Sequence, residues 1–210
     1  MKIVIFGPQG SGKGTQAEVL SKRLKIPQIT MGDLLREEIK NHSQVGKEID
    51  AIVNRGQLVP DEVSTQILKQ RLLKADCQNG FVLDGYPRNL NQAKLLAEIT
   101  KVDKALEIWI SDKEAVKRIS GRRSCPRCGA VYHLQFNPPK IDELCDQCQT
   151  KLIVRDDDKE EIIKNRLAIY HQATEPIIKY YQQSGVHLKI DGLPPIAAVT
   201  KDIFEKLKLA

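Results

Sequence analysis

The chain has 210 residues, 41% of them hydrophobic and 29% charged, and its formal net charge at pH 7 is +6. This composition is typical of one sizeable globular domain with small inserts. No apolar run approaches the ~18 residues of a membrane helix, so we expect a soluble protein without a membrane partner. The basic residues are dispersed, without the basic block or stripe typical of a nucleic-acid site, and small polyanionic ligands explain the positive charge equally well, so we expect no nucleic-acid partner.

The first predicted elements are a strand at 2–6, the glycine-rich stretch GPQGSGKGTQ at 7–16 and a helix at 12–24. Backbone N–H groups at a helix N-terminus bind phosphate oxygens, and glycines let that backbone approach closely. The stretch therefore predicts a phosphate-binding loop. It is a variant, because Gly14 stands where the usual motif has Ser or Thr, and Thr15 follows one place late. Since the first strand begins at once, we expect no leader peptide and a cytoplasmic protein.

Short apolar strands then alternate with helical patterns. Strands are predicted at 81–84, 105–110 and 186–191, and helices at 62–73, 92–99 and 113–120. Such alternation predicts an α/β fold whose parallel sheet is covered by helices on both faces.

Two stretches interrupt this alternation. Residues 30–59 have a helical and polar pattern without a strand, and residues 121–158 are irregular. Residues 159–183 predict a helix that is kinked or broken near Pro176, and a last helix follows Pro194-Pro195. We therefore expect two inserts in one α/β core.

The second insert contains two CxxC pairs, Cys125 with Cys128 and Cys145 with Cys148, separated by sixteen residues. In a reducing compartment this spacing predicts a tetrahedral four-sulfur metal site. Four protein ligands leave no position for water, so the metal is expected to be structural. Zinc and iron both fit these sulfurs. We expect Cys77, which stands apart, to be an ordinary buried or surface thiol.

The loop GxxGxGKGT resembles that of the nucleoside monophosphate kinases, and within them the chain is similar to the adenylate kinase family with a long lid. Further motifs carry the resemblance over nearly the whole chain: GDLLR at 32–36, GQLVPD at 56–61, LDGYPR at 83–88, RISGRR at 118–123, VYH at 131–133, FNPPK at 136–140, RDDD at 155–158 and IDG at 190–192. The resemblance implies a P-loop NTPase-type fold with a five-stranded parallel sheet, a helical acceptor insert and a zinc-ribbon-like lid. It implies a core at 1–29, 60–120 and 159–210, an insert that binds the nucleoside monophosphate (NMP) at 30–59 and a zinc-binding lid at 121–158.

The activity implied by the resemblance is reversible phosphoryl transfer from MgATP to AMP, giving two ADP, in a monomer that binds Mg²⁺ and structural Zn²⁺. A monophosphate acceptor is already an anion at neutral pH. Transfer therefore needs positioning and neutralisation of phosphate charge, for which guanidinium groups are suited, and needs no general base.

The resemblance also implies roles for individual residues. The residues expected to bind ATP are Gly10, Ser11, Gly12, Lys13, Gly14, Thr15, Arg118, Arg122, Val131, Tyr132, His133 and Pro194. Those expected to bind AMP are Met31, Arg36, Gln57, Leu58, Val59, Gly85, Tyr86, Arg88, Gln92, Arg155 and Arg166. The catalytic set is Lys13, Arg88, Arg122, Arg155 and Arg166; Asp33 and Asp84 would hold the water shell of Mg²⁺, and Cys125, Cys128, Cys145 and Cys148 would bind zinc.

Some alternatives stay open. The acceptor could be UMP, CMP or GMP, although Gln92, whose amide can pair with a base edge in both directions, favours AMP. The zinc insert could bind nucleic acid, although kinase-type arginines flank it. Asp84 could be only a turn residue or a helix cap.

One departure from the family pattern concerns the acceptor side. The family commonly has Ser-Thr-Gly-Asp where this chain has Thr30-Met31-Gly32-Asp33. A thioether cannot donate the hydrogen bond that a hydroxyl would give to the monophosphate. We therefore expect a shifted contact or a higher KM for the acceptor, and altered tolerance of the acceptor base.

Overall fold

A five-stranded parallel sheet lies at the centre of the protein, in a computed structural model that describes residues 1–158 and 160–209. Its strands are β1 (Lys2–Phe6), β2 (Gln28–Thr30), β3 (Phe81–Asp84), β4 (Lys104–Trp109) and, after the short strands β5 (Arg122–Ser124) and β6 (Val131–His133), β7 (His187–Asp191). Their order is β2-β3-β1-β4-β7, and every neighbouring pair is parallel. The predicted α/β fold with five parallel strands is confirmed.

The edge strand β2 was not located by the sequence pattern. It has only three residues, and only the central one, Ile29, is buried. Strands β1, β3 and β4 each have four consecutive buried residues, which is what burial on both faces of a sheet produces, whereas the other edge strand, β7, has only Ile190 buried. A short strand at the edge of a sheet carries too little of this pattern to be distinguished from the helical segment that follows it.

Nine helices lie in the described part of the chain: α1 (Lys13–Leu24), α2 (Met31–Lys40), α3 (Gln44–Asn54), α4 (Asp61–Leu72), α5 (Leu90–Ile99), α6 (Asp112–Ser120), α7 (Glu160–Ile169), α8 (Glu175–Gln183) and α9 (Ile196–Leu207). The helices predicted at 12–24, 62–73, 92–99 and 113–120 agree with α1, α4, α5 and α6 within one or two residues. No helix in the described ranges is both long enough and apolar enough to cross a membrane.

The predicted break near Pro176 is a π-helical turn at Tyr170–Thr174, between α7 and α8. Pro176 lies in the first turn of α8, where its missing N–H costs no helical hydrogen bond. The irregular turn of the helix therefore lies before the proline and not at it.

Helices cover both faces of the sheet. On one face Ile3, Ile5 and Leu106 pack with Leu20 of α1 and Ile203 of α9. On the other face, the alternate residues of the same strands pack against α4, α5 and α8: Val4, Phe6 and Ala105 lie with Leu68, Leu96 and Ile177. Successive strand residues point to opposite faces, so this alternation places a hydrophobic core on each side.

Two segments project from this layered core. Helices α2 and α3 follow β2, and residues 121–158 contain the antiparallel pair β5 and β6. The second segment has its own small cluster of buried residues, which includes Cys125, Tyr132, Cys145 and Leu152. Division of the chain into core, insert and lid at 30, 60, 121 and 159 stays a prediction, and residue 159 itself lies outside the described residues.

Candidate active site

The glycine-rich loop connects the end of β1 to the start of α1. Gly10 and Gly12 have positive φ angles of 77° and 87°, a left-handed conformation that costs glycine little. No side chain caps the N-terminus of α1, so its first backbone N–H groups face the cleft beside the loop. This is the arrangement that binds phosphate oxygens at a helix N-terminus.

The position of Gly14 explains the variant motif. A Cβ atom added at Gly14 would lie 3.3 Å from Oδ2 of Asp84, which is tighter than an ordinary contact. A Ser or Thr at this position would therefore press on the carboxylate. Thr15, the next residue, is exposed and lines the cleft.

Lys13 lies at the centre of the charged groups. Its Nζ donates a hydrogen bond to the carbonyl oxygen of Pro8 at 3.2 Å. Burial lowers the pKa of Lys13 from 10.5 to about 8; Asp84 opposes this, while Arg166, Arg88 and Arg122 lower it further. Three of the predicted catalytic arginines are thus close enough to repel the lysine, which makes the loop a site for polyanions.

Asp84 ends β3, and its register opposite Ile5 places it beside the loop. The side chain is 6% exposed, and its Oδ1 has no hydrogen-bond partner among the described residues. Burial raises the pKa of Asp84, while Lys13 and Arg88 oppose the rise. A buried carboxylate oxygen without a partner, at the carboxyl edge of a parallel sheet, fits the water shell of Mg²⁺. Asp33, the second predicted carboxylate, is exposed and forms an ion pair with Arg36 at 2.6 Å.

Asp158 joins two of the predicted arginines. Its side chain is buried, and both of its oxygens accept hydrogen bonds from Arg122, one of them from Nε at 2.7 Å. Arg166 lies 3.7 Å away from the same carboxylate. The RDDD motif was noted in the sequence, but no role was predicted for Asp158. Its pairing with Arg122 could not be predicted from the sequence, because the two residues are 36 positions apart in the chain.

The cleft has a volume of ≈ 800 Å³ and is lined by all the predicted ATP-binding residues except Ser11, a buried residue whose hydroxyl has no partner among the described residues. Arg155, Arg36 and Asp84 also line this cleft. Arg118 donates from Nη1 to the carbonyl oxygen of Gly192 at 2.8 Å.

Apolar surface is exposed on both sides of the cleft, on Val131 and Phe136 of one wall and on Leu193 and Ile196 of the other. The guanidinium of Arg118 lies 5.3 Å from the centre of the Phe136 ring. Flat apolar surfaces beside a guanidinium fit a nucleobase.

His133 is held in one tautomer. Its Nδ1 accepts from the N–H of Gln135 at 3.0 Å, so its Nε2 carries the proton and donates to the carbonyl oxygen of Arg118 at 2.9 Å. Burial lowers the pKa of His133. The neutral ring lies 4.5 Å from that of Phe136 and extends the apolar wall.

Tyr132, between Val131 and His133, points the opposite way. Its side chain is buried, and its hydroxyl lies 3.4 Å from Sγ of Cys145. The same hydroxyl accepts a hydrogen bond from the N–H of Asp146 at 2.8 Å, which leaves its own proton for the sulfur. Although Tyr132 was predicted to bind ATP, its side chain belongs to the cysteine cluster, because neighbouring strand residues face opposite sides.

The four paired cysteines lie together. Their sulfur atoms are all within 4.8 Å of one another, with Cys125 to Cys148 at 3.4 Å and Cys128 to Cys145 at 3.5 Å. Zn–S bonds of about 2.3 Å in a tetrahedron place sulfurs roughly 3.8 Å apart, so the set fits a four-coordinate ion. The hydrogen bond from Tyr132 lowers the pKa of Cys145 to about 6, which favours the thiolate that binds metal.

A smaller pocket beside the cleft is lined by the predicted AMP-binding residues, except Arg155. Leu35, Val53 and Ser64 line it as well and were not predicted. Met31 is 2% exposed and also packs into the hydrophobic core, so its thioether is held there by apolar contacts. Thr30, whose Oγ1 lies 3.4 Å from Nε2 of Gln28, carries the neighbouring hydroxyl.

Gln92 is also buried in the wall of this pocket. Its Nε2 donates to Oδ1 of Asp61 at 2.8 Å and to Oγ of Ser64 at 3.3 Å, and its Oε1 accepts from the N–H of Arg88 at 2.8 Å. Both amide protons therefore have protein partners. Pairing of this amide with a base in both directions stays a prediction; among the described residues, Oε1 has one hydrogen-bond partner and so one further lone pair.

Comparison with known proteins gives a consistent result. The family model for adenylate kinase matches residues 5–186. A curated adenylate kinase from Caldicellulosiruptor saccharolyticus is 45% identical, over 99% of this chain and 99% of the relative. Adenylate kinases from Lachnospira eligens and Archaeoglobus fulgidus are each 45% identical, over 96% and 99% of this chain and over 99% and 100% of those relatives.

Proposed function

Because the chain belongs to the adenylate kinase family, we propose that it transfers the terminal phosphoryl group of MgATP reversibly to AMP and so forms two ADP. The observation that carries this proposal is that Arg36, Arg88 and Arg166 line both the cleft at the loop and the smaller pocket. A donor phosphate at the loop and an acceptor phosphate in the pocket would meet at these guanidinium groups.

ATP is assigned to the larger cleft. The loop and the start of α1 would hold its phosphates, with Lys13 on the terminal ones and Thr15 near them. The adenine would lie between the exposed apolar residues of the two walls, with Arg118 beside it. Support for this assignment comes from the exposure of Val131 and Phe136 opposite Leu193 and Pro194.

AMP is assigned to the smaller pocket. Arg36 and Arg88 would bind its phosphate, and the apolar residues Met31, Leu58 and Val59 would contact its nucleoside. Arg88 is oriented by the hydrogen bond from its Nε to the carbonyl oxygen of Gly85 at 2.8 Å. This hydrogen bond orients the planar guanidinium, a group suited to two-pronged binding of a phosphate.

The transfer step needs no general base. The phosphate of AMP is an anion at neutral pH, so its oxygen attacks without losing a proton. Burial lowers the pKa of Lys13 most, and Arg166, Arg88 and Arg122 lower it further, so these guanidinium groups repel the lysine before substrates bind. Negative charge on the transferring phosphoryl group relieves this repulsion. The positive groups therefore stabilise the transition state electrostatically and are already in place before the reaction.

Two metals complete the proposal. Mg²⁺, bound with ATP, would neutralise phosphate charge; Asp84 and Asp33 would hold its water ligands. Cys125, Cys128, Cys145 and Cys148 would hold zinc as a structural ion, since four sulfurs close the coordination sphere. The zinc-bearing segment 121–158 would act as a lid that closes with the insert 30–59 to exclude water. We also propose a monomer in the cytoplasm, where thiols remain available to the metal.

A panel of acceptors tests the function. ADP formation from MgATP is measured with AMP, GMP, UMP and CMP in turn, using the purified chain. We expect a kcat/KM for AMP that exceeds the others by at least tenfold. A preference for another monophosphate would overturn the acceptor assignment, and absence of transfer to all four would overturn the activity.

A further inference from the structure

We propose that Asp61 fixes the orientation of the Gln92 amide, so that Gln92 offers only a hydrogen-bond acceptor to the base of the acceptor nucleotide. Asp61 is then a positioning residue that selects bases with an exocyclic amino group. This inference rests on the proposed function, because it takes the pocket beside Gln92 as the site of the acceptor nucleotide.

Asp61 is the centre of a network of side-chain amides. Its Oδ1 accepts hydrogen bonds from Nδ2 of Asn89 and from Nε2 of Gln92, and its Oδ2 accepts from Nδ2 of Asn91, all at 2.8 Å. Burial opposes ionisation, but the hydrogen bonds from Asn91, Asn89 and Gln92 outweigh it and hold the pKa of Asp61 below its usual range. The carboxylate is therefore ionised at neutral pH.

An ionised carboxylate only accepts hydrogen bonds, so the end of the Gln92 amide that faces Asp61 must be the NH₂ group. The end of the amide that faces Asp61 is therefore nitrogen on chemical grounds. The other end supports the same orientation, since Oε1 of Gln92 accepts from the backbone N–H of Arg88. In a flipped amide, the NH₂ group of Gln92 would face the N–H of Arg88, and its oxygen would face the carboxylate of Asp61. Both contacts are unfavourable.

The two protons of Nε2 are used by Asp61 and by Ser64. Oxygen Oε1 has two lone pairs, and Arg88 uses one. Because Gln92 is 2% exposed and held at both ends, rotation of the amide would break all three hydrogen bonds. What Gln92 can offer a ligand in the pocket is the second lone pair of Oε1.

This lone pair discriminates between bases. The 6-amino group of adenine donates a hydrogen bond to it, whereas the 6-oxo group of hypoxanthine or guanine would face it oxygen to oxygen. A buried site built for one hydrogen bond rejects an analogue that cannot make it much more strongly than a size difference would. IMP is the sharpest probe, because the base of IMP has nearly the shape of adenine and differs where the lone pair reads it.

Replacement of Asp61 also removes a carboxylate that stabilises the start of α4, and a control variant must separate this effect from the loss of the amide network. Asp61 is the first residue of α4, where a carboxylate also stabilises the N-terminus of the helix. Glu62 lies in the same first turn and is not among the described partners of Gln92. The variant Glu62→Ala therefore removes a comparable helix interaction and leaves the amide network in place.

The experiment compares kcat/KM for AMP and for IMP, with MgATP as donor, in the native chain, Asp61→Ala, Asp61→Asn and Glu62→Ala. In Asp61→Ala we expect the ratio for AMP over IMP to fall at least tenfold, because only the hydrogen bonds with Arg88 and Ser64 then oppose a turn of the Gln92 amide that brings its NH₂ group toward O6 of IMP. The change should lie in the KM of the acceptor and leave the KM of ATP within threefold. In Asp61→Asn the ratio should stay within threefold, since an amide oxygen at position 61 still accepts from Gln92. In Glu62→Ala it should stay within threefold because Asp61 itself is unchanged.

A ratio that is unchanged in folded Asp61→Ala contradicts the proposal, as does an equal loss in Asp61→Asn. If Asp61→Ala does not fold, Asp61→Ser carries the same test, because serine is compatible with a helix start and is too short to hold Gln92. Failure of the proposed function is distinct: the native chain would then show no transfer to AMP at all.

Discussion

Lys13 gives a prediction in which activity and stability change in opposite directions. Substitution Lys13→Met removes the charge and keeps much of the apolar side chain. The pKa of Lys13 is lowered from 10.5 to about 8, chiefly by burial. At 1.36 kcal/mol per pKa unit, the charged form costs about 3 kcal/mol at pH 7, and solvent screening of a half-buried group reduces this to about 2 kcal/mol. The cost of about 2 kcal/mol is net of the attraction between Lys13 and Asp84, because that attraction is one of the causes that set the pKa.

The sign follows from proton binding. The folded pKa lies below the unfolded one, so between about pH 8 and 10.5 the unfolded chain binds more protons, and stability rises with pH in this window. Below pH 8 Lys13 is charged in both the folded and the unfolded chain, so the full cost of burying its charge lowers stability. At pH 7 the free energy of unfolding of Lys13→Met should therefore exceed that of the native chain by about 2 kcal/mol, and its urea midpoint should be higher. This difference should shrink as the pH approaches 10.

The assay is urea unfolding at pH 7, 8.5 and 9.5, with ADP formation measured in parallel. Lys22→Met is the matched control, because Lys22 lies on the same helix with an exposed side chain paired to Glu18 and should change stability by less than about 0.5 kcal/mol. We expect Lys13→Met to lose ADP formation by a factor on the order of 10² or more. A Lys13→Met protein that is less stable than the native chain at pH 7 would refute the electrostatic reasoning.

Four other predictions concern the arginines, the acceptor pocket and the lid. Arg122→Lys should lower kcat by a factor on the order of 10², because an ammonium cannot replace the two-pronged guanidinium, whereas the neighbouring Arg123→Lys should change kcat less than threefold; equal losses would contradict the role of Arg122. Met31→Thr should lower the KM for AMP by restoring a hydroxyl at the start of α2, and unchanged acceptor kinetics would show that the thioether is neutral. Removal of zinc by a chelator should lower the melting temperature by roughly 5 °C or more, and an unchanged value would contradict a structural metal. Tyr132→Phe should weaken zinc binding by about 10- to 100-fold in a competition assay, because its hydroxyl donates to Cys145, and equal affinity would exclude this contribution.

The features that were predicted correctly from sequence have strong local signals. The strand, glycine turn and helix at the loop are adjacent in the chain, and each has its own pattern of apolar residues or glycines. The cysteine cluster follows from two short spacings, since each CxxC pair brings its own sulfurs together and the metal set needs only the two pairs to meet. The family resemblance supplied the fifth strand, which the apolar pattern did not locate.

The features that were missed depend on contacts between distant segments. Asp158 meets Arg122 across 36 residues, and Asp61 meets Gln92 across 31 residues. Neither carboxylate differs in the sequence from an ordinary surface residue, because the partner is set by how the helices pack. The side-chain direction of Tyr132 depends likewise on the pairing of β5 with β6 and not on the VYH motif alone.

The central claim is tested most directly by incubating the purified chain with Mg²⁺ and ADP alone and following both products. Our account predicts that ATP and AMP appear in equal amounts, and that an analogue joining the two nucleosides through a phosphate chain blocks the reaction by occupying the cleft and the pocket together. Formation of AMP with inorganic phosphate and without ATP, or no reaction at all, would contradict it.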